Sequence, residues 1–193
     1  EIDESIPVVV FGRDPSMWPL SNVPIQVLSQ VSEYSIRSGL KNIENMLKYI
    51  GREVLGSDYS YNPPEDTLWQ GIYHPDAEVA FESVKEYFAW REPHHRHAVG
   101  LLFFRTYWAN GDLDIVDAFV RELEKELDVI PVFCLGMGDK DLGAKSSGEI
   151  AEEFFEGRID ALINLQSVFH AGSVNESRQV LEKLGVPVIH PLM

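Results

Sequence analysis

Only one of the 193 residues is a cysteine, Cys134. That excludes a disulfide framework and a thiolate metal cluster. Cys134 sits inside the apolar run 129–135, which marks it as a buried structural thiol rather than a nucleophile. Basic residues are also scarce, 16 against 31 acidic ones, for a net charge of −15. Such a surface repels phosphate backbones and anionic lipid, so nucleic acid and membrane are poor partners, whereas a cationic partner or metal ion is tolerated. No run approaches the roughly eighteen apolar residues of a membrane span. A Walker phosphate loop and a G-x-S-x-G elbow are both missing. Gly136-Met137-Gly138 fails as a dinucleotide fingerprint, because Asp141 stands where a third glycine belongs. The chain opens on Glu1 without a charged-then-apolar leader. This reads as a section of a longer or processed chain, cytoplasmic rather than secreted.

Hydrophobic residues at 45% and charged residues at 24% give the profile of a globular protein. Residues 6–11 form a short β-branched run and predict a strand. Pro15, Pro19 and Pro24 predict a loop. Ile43, Met46, Leu47, Ile50 and Val54 recur at helical spacing, with Gly56 as a stop. Residues 57–70 are polar, carry Pro63-Pro64 and read as a linker. Asp76 is placed to cap a helix with Ala77, Phe81, Val84 and Phe88 on one stripe.

From residue 98 the pattern becomes regular. Strand 98–104, helix 113–127 and strand 129–135 are followed by a glycine-rich loop, 136–147. Ser146 and Glu149 have capping-box spacing before a helix that ends near Gly157. Strand 159–165 follows, then a second box at Ser173 and Glu176, a helix stopped by Gly185, and strand 186–189. The strands are continuous apolar runs, as strands buried on both faces are. The expected fold is therefore α/β: a doubly wound, mostly parallel sheet of flavodoxin or Rossmann type, preceded by a helical segment. Residues 1–70 read as the end of a preceding domain, with strand, helix and linker, and 71–193 as the open-sheet domain.

Ligands of such sheets bind beyond the carboxyl ends of the strands. That edge carries a loop with Arg105, Thr106, Tyr107, Trp108, Asn110 and Gly111, the glycine-rich loop, a loop with Ser167, His170 and Gly172, and His190. Helix starts at Asp112, Ser146 and Ser173 offer N–H donors to anions. Arg105 can clamp a carboxylate bidentately or pair with a structural acid. Trp108 and Tyr107 can stack on a flat ligand or anchor the loop. His94-His95-Arg96-His97 invites a metal reading, but it precedes a strand and falls on the opposite edge, where a solvated loop is the plainer reading. No nucleophile–base–acid set and no working carboxylate pair is visible.

Four ordered segments carry a family resemblance. Tyr34 precedes Ser38-Gly39-Leu40-Lys41-Asn42, with a serine where the family pattern has its first glycine. Gly71-Ile72-Tyr73-His74-Pro75-Asp76 follows. Next is Val99-Gly100-Leu101-Leu102-Phe103-Phe104-Arg105, with Gly111-Asp112 and Asp117 behind it. Last is Asp160-Ala161-Leu162-Ile163-Asn164-Leu165, with Phe169. In this order they resemble the large subunit of cobaltochelatase, the CobN and magnesium-chelatase large-subunit family.

The resemblance implies one section of a subunit that binds a corrin or porphyrin precursor and takes Co2+ or Mg2+ as substrate, in a ligase forming metal–nitrogen bonds. It implies an AAA+ ATPase subunit and a third subunit as partners, with ATP bound by the partner and not by this chain. It suggests Arg105 for an acidic side chain of the ring, and Tyr73, His74 and Trp108 for its rim; His170, by its place on the same sheet edge, is a further candidate for substrate binding. The alternatives are a scaffold section docking the AAA+ motor, or a stand-alone flavodoxin-like module for a flavin or sugar phosphate.

Overall fold

A computed structural model describes residues 5–12 and 14–191, which divide into two compact units, Glu1–Thr67 and Leu68–Met193.

The first unit is a helical pair, α1 (Ile25–Arg37) and α2 (Leu40–Glu53), closed over Val27, Val31, Tyr34, Met46 and Tyr49. Its second helix follows the expected stripe. The first was hidden in the sequence behind three prolines, two of which lie in a 3-10 turn, Pro15–Leu20, while Pro24 caps α1. Residues 6–11 form no strand. The side chains of Asn22 and Ser21 take the amides of Val8 and Val10 at 2.6 and 2.8 Å, in place of a β-ladder.

The helices meet at Ser38 and Gly39, both at positive φ, 61° and 89°. Ser38 thus holds a backbone conformation suited to glycine, at the position where the family pattern has one. The polar segment after α2 is strapped down by two asparagines. Asn42 exchanges a pair of hydrogen bonds with the Glu65 backbone, both 2.9 Å, and Asn45 accepts the Asn62 amide at 2.8 Å. The Tyr34 hydroxyl donates to the Asn62 carbonyl. The Tyr34-to-Asn42 pattern is therefore a clamp for this strap.

The second unit is a five-stranded sheet. Its strands are β1 (Gly71–Ile72), β2 (Ala98–Phe104), β3 (Asp128–Cys134), β4 (Ala161–Asn164) and β5 (Val188–Ile189), in the order β1-β3-β2-β4-β5. β2 to β5 are parallel and β1 is an antiparallel edge. This is the doubly wound α/β sheet expected, with a flavodoxin-like switch of direction between β2 and β4.

The faces divide by residue parity. Val99, Leu101 and Phe103 pack with Val116 and Val120 of α5 (residues 114–123, numbered after two shorter helices described below). On the other face Leu102 packs with Ile150, Phe154 and Leu184. These come from Ser147–Ile150, continued as a π-helical turn Ala151–Phe155, and from the helix Val174–Leu184. Both capping boxes form as spaced in the sequence.

Two expectations need correcting. No helix begins at Asp76. Instead Ile72 and Phe81 exchange backbone hydrogen bonds at 2.8 and 2.9 Å, and α3 (Val84–Trp90) starts only at the Ser83 cap. Residues 105–110 are no loop but a short helix, α4 (Arg105–Asn110), closed by Gly111 at φ 71°. In chain order the helices after α5 are α6 (Ser147–Ile150) and α7 (Val174–Leu184).

Candidate functional site

The carboxyl edge of the sheet is organised by a residue the sequence did not flag. Gln166, 1% exposed, follows β4 and reaches across the strand ends. Its Nε2 donates to the Phe103 carbonyl of β2 at 3.2 Å and lies 3.2 Å from the Cys134 sulfur of β3, while its Oε1 accepts from Ser147 Oγ at 2.7 Å. A protein side chain thus bridges the point where open sheets commonly receive a ligand. Burial raises the pKa of the Cys134 thiol, which fits its inert, structural place.

Beside Gln166 lies a cleft of about 450 Å3. Its walls are the loop after β3 with the start of α6, and the loop after β4 with the start of α7. Gly138, Asp139, Lys140, Glu149 and His170 line it. The floor is set by close packing. The Gly148 amide donates to the His170 carbonyl at 2.9 Å, and a Cβ on Gly148 would lie 2.2 Å from that of Ala171.

Two of the three helix starts that looked available to anions are already occupied. Glu149 Oε2 accepts the Ser146 amide at 2.8 Å, and Glu176 Oε2 accepts the Ser173 amide at 2.6 Å. Hydrogen bonds from the Ser146 amide and hydroxyl lower the Glu149 pKa, and those from the Ser173 hydroxyl and amide lower that of Glu176. The first turn of α5 carries Asp114 and Asp117. Each of the three ends therefore presents a carboxylate of this chain.

The five expected ring-contact residues do not converge. Arg105 is 3% exposed; its Nε donates to the Leu68 carbonyl at 2.6 Å and its guanidinium lies 4.3 Å over the Trp69 ring. Trp108 stacks on Phe133 at 4.3 Å with the rings 7° from parallel. His170 borders the cleft, where its Nδ1 accepts from the Gly172 amide at 3.3 Å.

Tyr73 and His74 follow β1, which runs against β3 and so leads toward the amino edge of the sheet. The Tyr73 hydroxyl donates to Asp117 at 2.8 Å; burial, then that bond, raises its pKa strongly. His74 is fully buried. Its Nδ1 accepts the Asp76 amide at 3.0 Å, and its Nε2 lies 2.8 Å from Glu124 Oε1 and 2.9 Å from Arg91 Nη1. Arg91 reaches the same carboxylate at 3.1 Å, and Arg121 grips Asp76 through both oxygens. The Tyr73-His74-Asp76 motif is a polar lock joining β1, α3 and α5.

His94 and His95 also fall at the amino edge, as their place before β2 predicts, beside Asp128 at the start of β3. His190 is exposed after β5. No helix among the described residues is long and apolar enough to cross a membrane.

A family model described as CobN/Magnesium Chelatase matches residues 32–193. The chain belongs to this family. Among its relatives, an uncharacterized protein of Methanocaldococcus jannaschii is 34% identical over 96% of this chain and 15% of its own length. A magnesium-chelatase subunit of Chlorobaculum parvum is 27% identical over 84% of this chain and 14% of its own length. The aerobic cobaltochelatase CobN of Pseudomonas aeruginosa is 26% identical over 93% and 14%. The chain thus spans about one-seventh of the length of these curated relatives. The fold is shared with the catalytic subunit of cobaltochelatase from Mycobacterium tuberculosis, at a TM-score of 0.58 and 17% identity, over 93% of this chain and 14% of that one.

Proposed function

We propose that this chain acts as a section of the large, tetrapyrrole-binding subunit of an ATP-dependent chelatase, which inserts Co2+ or Mg2+ into a corrin or porphyrin precursor. The match of the family model over residues 32–193 carries this reading. An AAA+ subunit supplies ATP hydrolysis and a third subunit completes the enzyme, in keeping with a sequence that has no Walker loop.

Within the subunit, the polar cleft bordered by His170 is the part of this section open to a ring substituent or to the metal in transit. Arg105 and Trp108 set the shape of that edge through Leu68, Trp69 and Phe133. Tyr73 and His74 hold the sheet's edge strand. The stand-alone reading as a flavin or sugar-phosphate module is disfavoured, because the starts of α6 and α7 are filled by glutamates and the first turn of α5 carries Asp114 and Asp117.

A second reading, a scaffold that docks the motor subunit, is favoured by one observation. Four of the five expected ring-contact side chains, Arg105, Trp108, Tyr73 and His74, make their contacts inside this unit.

The test is reconstitution. The large subunit, the AAA+ subunit, the third subunit, ATP and a metal-free tetrapyrrole are mixed with Co2+ or Mg2+, and ring metallation is followed by absorbance. Metallation that requires ATP, and ring affinity that falls in His170→Ala, support the section as part of the ring site. Unchanged ring affinity with lost capture of the AAA+ subunit supports the scaffold. Absence of metallation with both metals refutes the chelatase reading.

A further inference from the structure

The amino edge of the sheet, away from the cleft, carries a cluster that the function above does not use. Asp128, 8% exposed, opens β3, and its two carboxylate oxygens accept the backbone amides of His94 and His95, each at 3.1 Å. The Asp128 amide in turn donates to the His97 carbonyl at 2.9 Å. The loop before β2 is therefore pinned to the sheet on both sides of the two imidazoles. Their rings stand 4.2 Å apart, tilted by 44°, and His94 Nδ1 lies 3.4 Å from Asp128 Oδ1. One nitrogen from each histidine and one Asp128 oxygen all fall within 4.8 Å of one another.

One of the two imidazoles is set as a metal requires, whereas His94 Nδ1 faces two acceptors, the Glu92 carbonyl and Asp128 Oδ1, each at 3.4 Å, and ligates only as the tautomer protonated at Nε2. His95 Nε2 lies 3.1 Å from the Glu124 carbonyl. A carbonyl can only accept, so Nε2 carries the proton and Nδ1 keeps its lone pair. A ligating histidine typically fixes its tautomer by giving its other N–H to such an acceptor. One of the three separations agrees as well. Tetrahedral bonds of about 2.1 Å put neighbouring ligand atoms about 3.4 Å apart, the separation between His94 and Asp128. Two imidazoles and one carboxylate suit borderline divalent ions such as Zn2+ and Co2+, while Mg2+ prefers oxygen and water.

We propose that His94, His95 and Asp128 form a three-ligand site for a borderline divalent transition metal, with one coordination position open to water or to a donor from a partner. The site is independent of the cleft and of the chelatase reading. Its bound ion ties the loop before β2 to the start of β3.

The test uses the purified chain, shown to be folded by far-UV circular dichroism, and Co2+ alone as the probe. Visible d–d absorption reports ligation by imidazole, and calorimetry reports stoichiometry. The expected result is one Co2+ per chain, displaced by Zn2+ and not by excess Mg2+. His94→Ala and His95→Ala, whose backbone amides still meet Asp128, are expected to weaken binding by at least about tenfold, the loss that removal of even a supporting partner causes. His97, 3.3 Å from Asp160 instead, is the control, and His97→Ala retains the wild-type affinity. Absence of imidazole-type bands, equal Co2+ affinity in the His94 and His95 variants, displacement by Mg2+, or loss of binding in His97→Ala would each overturn the proposal.

Discussion

Gly148→Ala tests how the cleft is built. An added Cβ would meet Ala171 Cβ at 2.2 Å and Ala171 Cα at 3.0 Å. Carbon atoms rest about 3.5–4.0 Å apart, so the start of α6 and the loop after β4 must separate by more than an ångström. Ala171 offers a methyl on its own backbone, not the far end of a flexible chain, so it cannot swing away. Overpacking of this kind costs about 1–3 kcal/mol, and the present overlap belongs at the upper end. The same displacement lengthens the Gly148-to-His170 bond, worth about 1 kcal/mol. Against this, alanine is favoured over glycine in a helix by about 1 kcal/mol, and its methyl, when buried, contributes about 0.8 kcal/mol. The net expectation is a loss of about 2 kcal/mol, read as a fall of about 1 M in the urea midpoint at unchanged slope. The diagnostic step is the double variant Gly148→Ala with Ala171→Gly. It removes the 2.2 Å contact and is expected to recover most of the loss. A Gly148→Ala variant as stable as wild type, or a double variant no better than the single one, would refute this account of the cleft.

Ser38→Gly is expected to stabilise the chain by about 1 kcal/mol. Relief of an unfavourable backbone conformation outweighs the added freedom of the unfolded glycine, and a raised thermal midpoint reports it. His74→Ala removes a fully buried ring and leaves Glu124 and Arg91 without it, a loss of about 2–4 kcal/mol in urea unfolding. An exposed, ring-binding role would leave stability unchanged. Glu149 has its pKa lowered from 4.5 in the folded chain, first by the Ser146 amide. Its contribution is therefore present in full above that ordinary value and lost as pH falls through the folded one. The stability gap between wild type and Glu149→Gln is expected to be widest near neutral pH and to close in acid. A gap that widens on acidification contradicts the assignment.

What could be read from the sequence was what repeats or leaves a local mark. Strand 98–104 was legible because seven successive residues, buried or nearly so, leave a continuous apolar run, and β3 for the same reason. Both capping boxes were legible because serine and glutamate three apart satisfy each other's backbone donors. The consequence of those boxes was not drawn from the sequence: a glutamate that caps a helix also fills its anion seat. β1 was not legible, since two residues show no period, and its strand partner Phe81 looks helical in a stripe with Val84 and Phe88. α4 is too short to display a face. Gln166 was missed because its role depends on three strand ends that only the tertiary fold assembles. The expected ring set failed to converge for a related reason. Tyr73 and His74 follow a strand whose antiparallel sense nothing in the sequence reveals; it leaves Tyr73 opposite Pro131 in mid-strand and carries His74 on to Glu124, away from the carboxyl edge.

The asparagine strap of the helical unit has a consequence for measurements of local opening. Pro63 and Pro64 have no amide hydrogen, and residues 57–67 form no strand, so a solvent-exchange map drawn from secondary structure alone would colour the segment as unprotected. Yet the amides of Asn62 and Glu65 are sealed by side chains rooted in α2. Deuterium should enter them only when that helix itself lets go, which makes two isolated amides in apparent coil reporters of the cooperative unfolding of their unit.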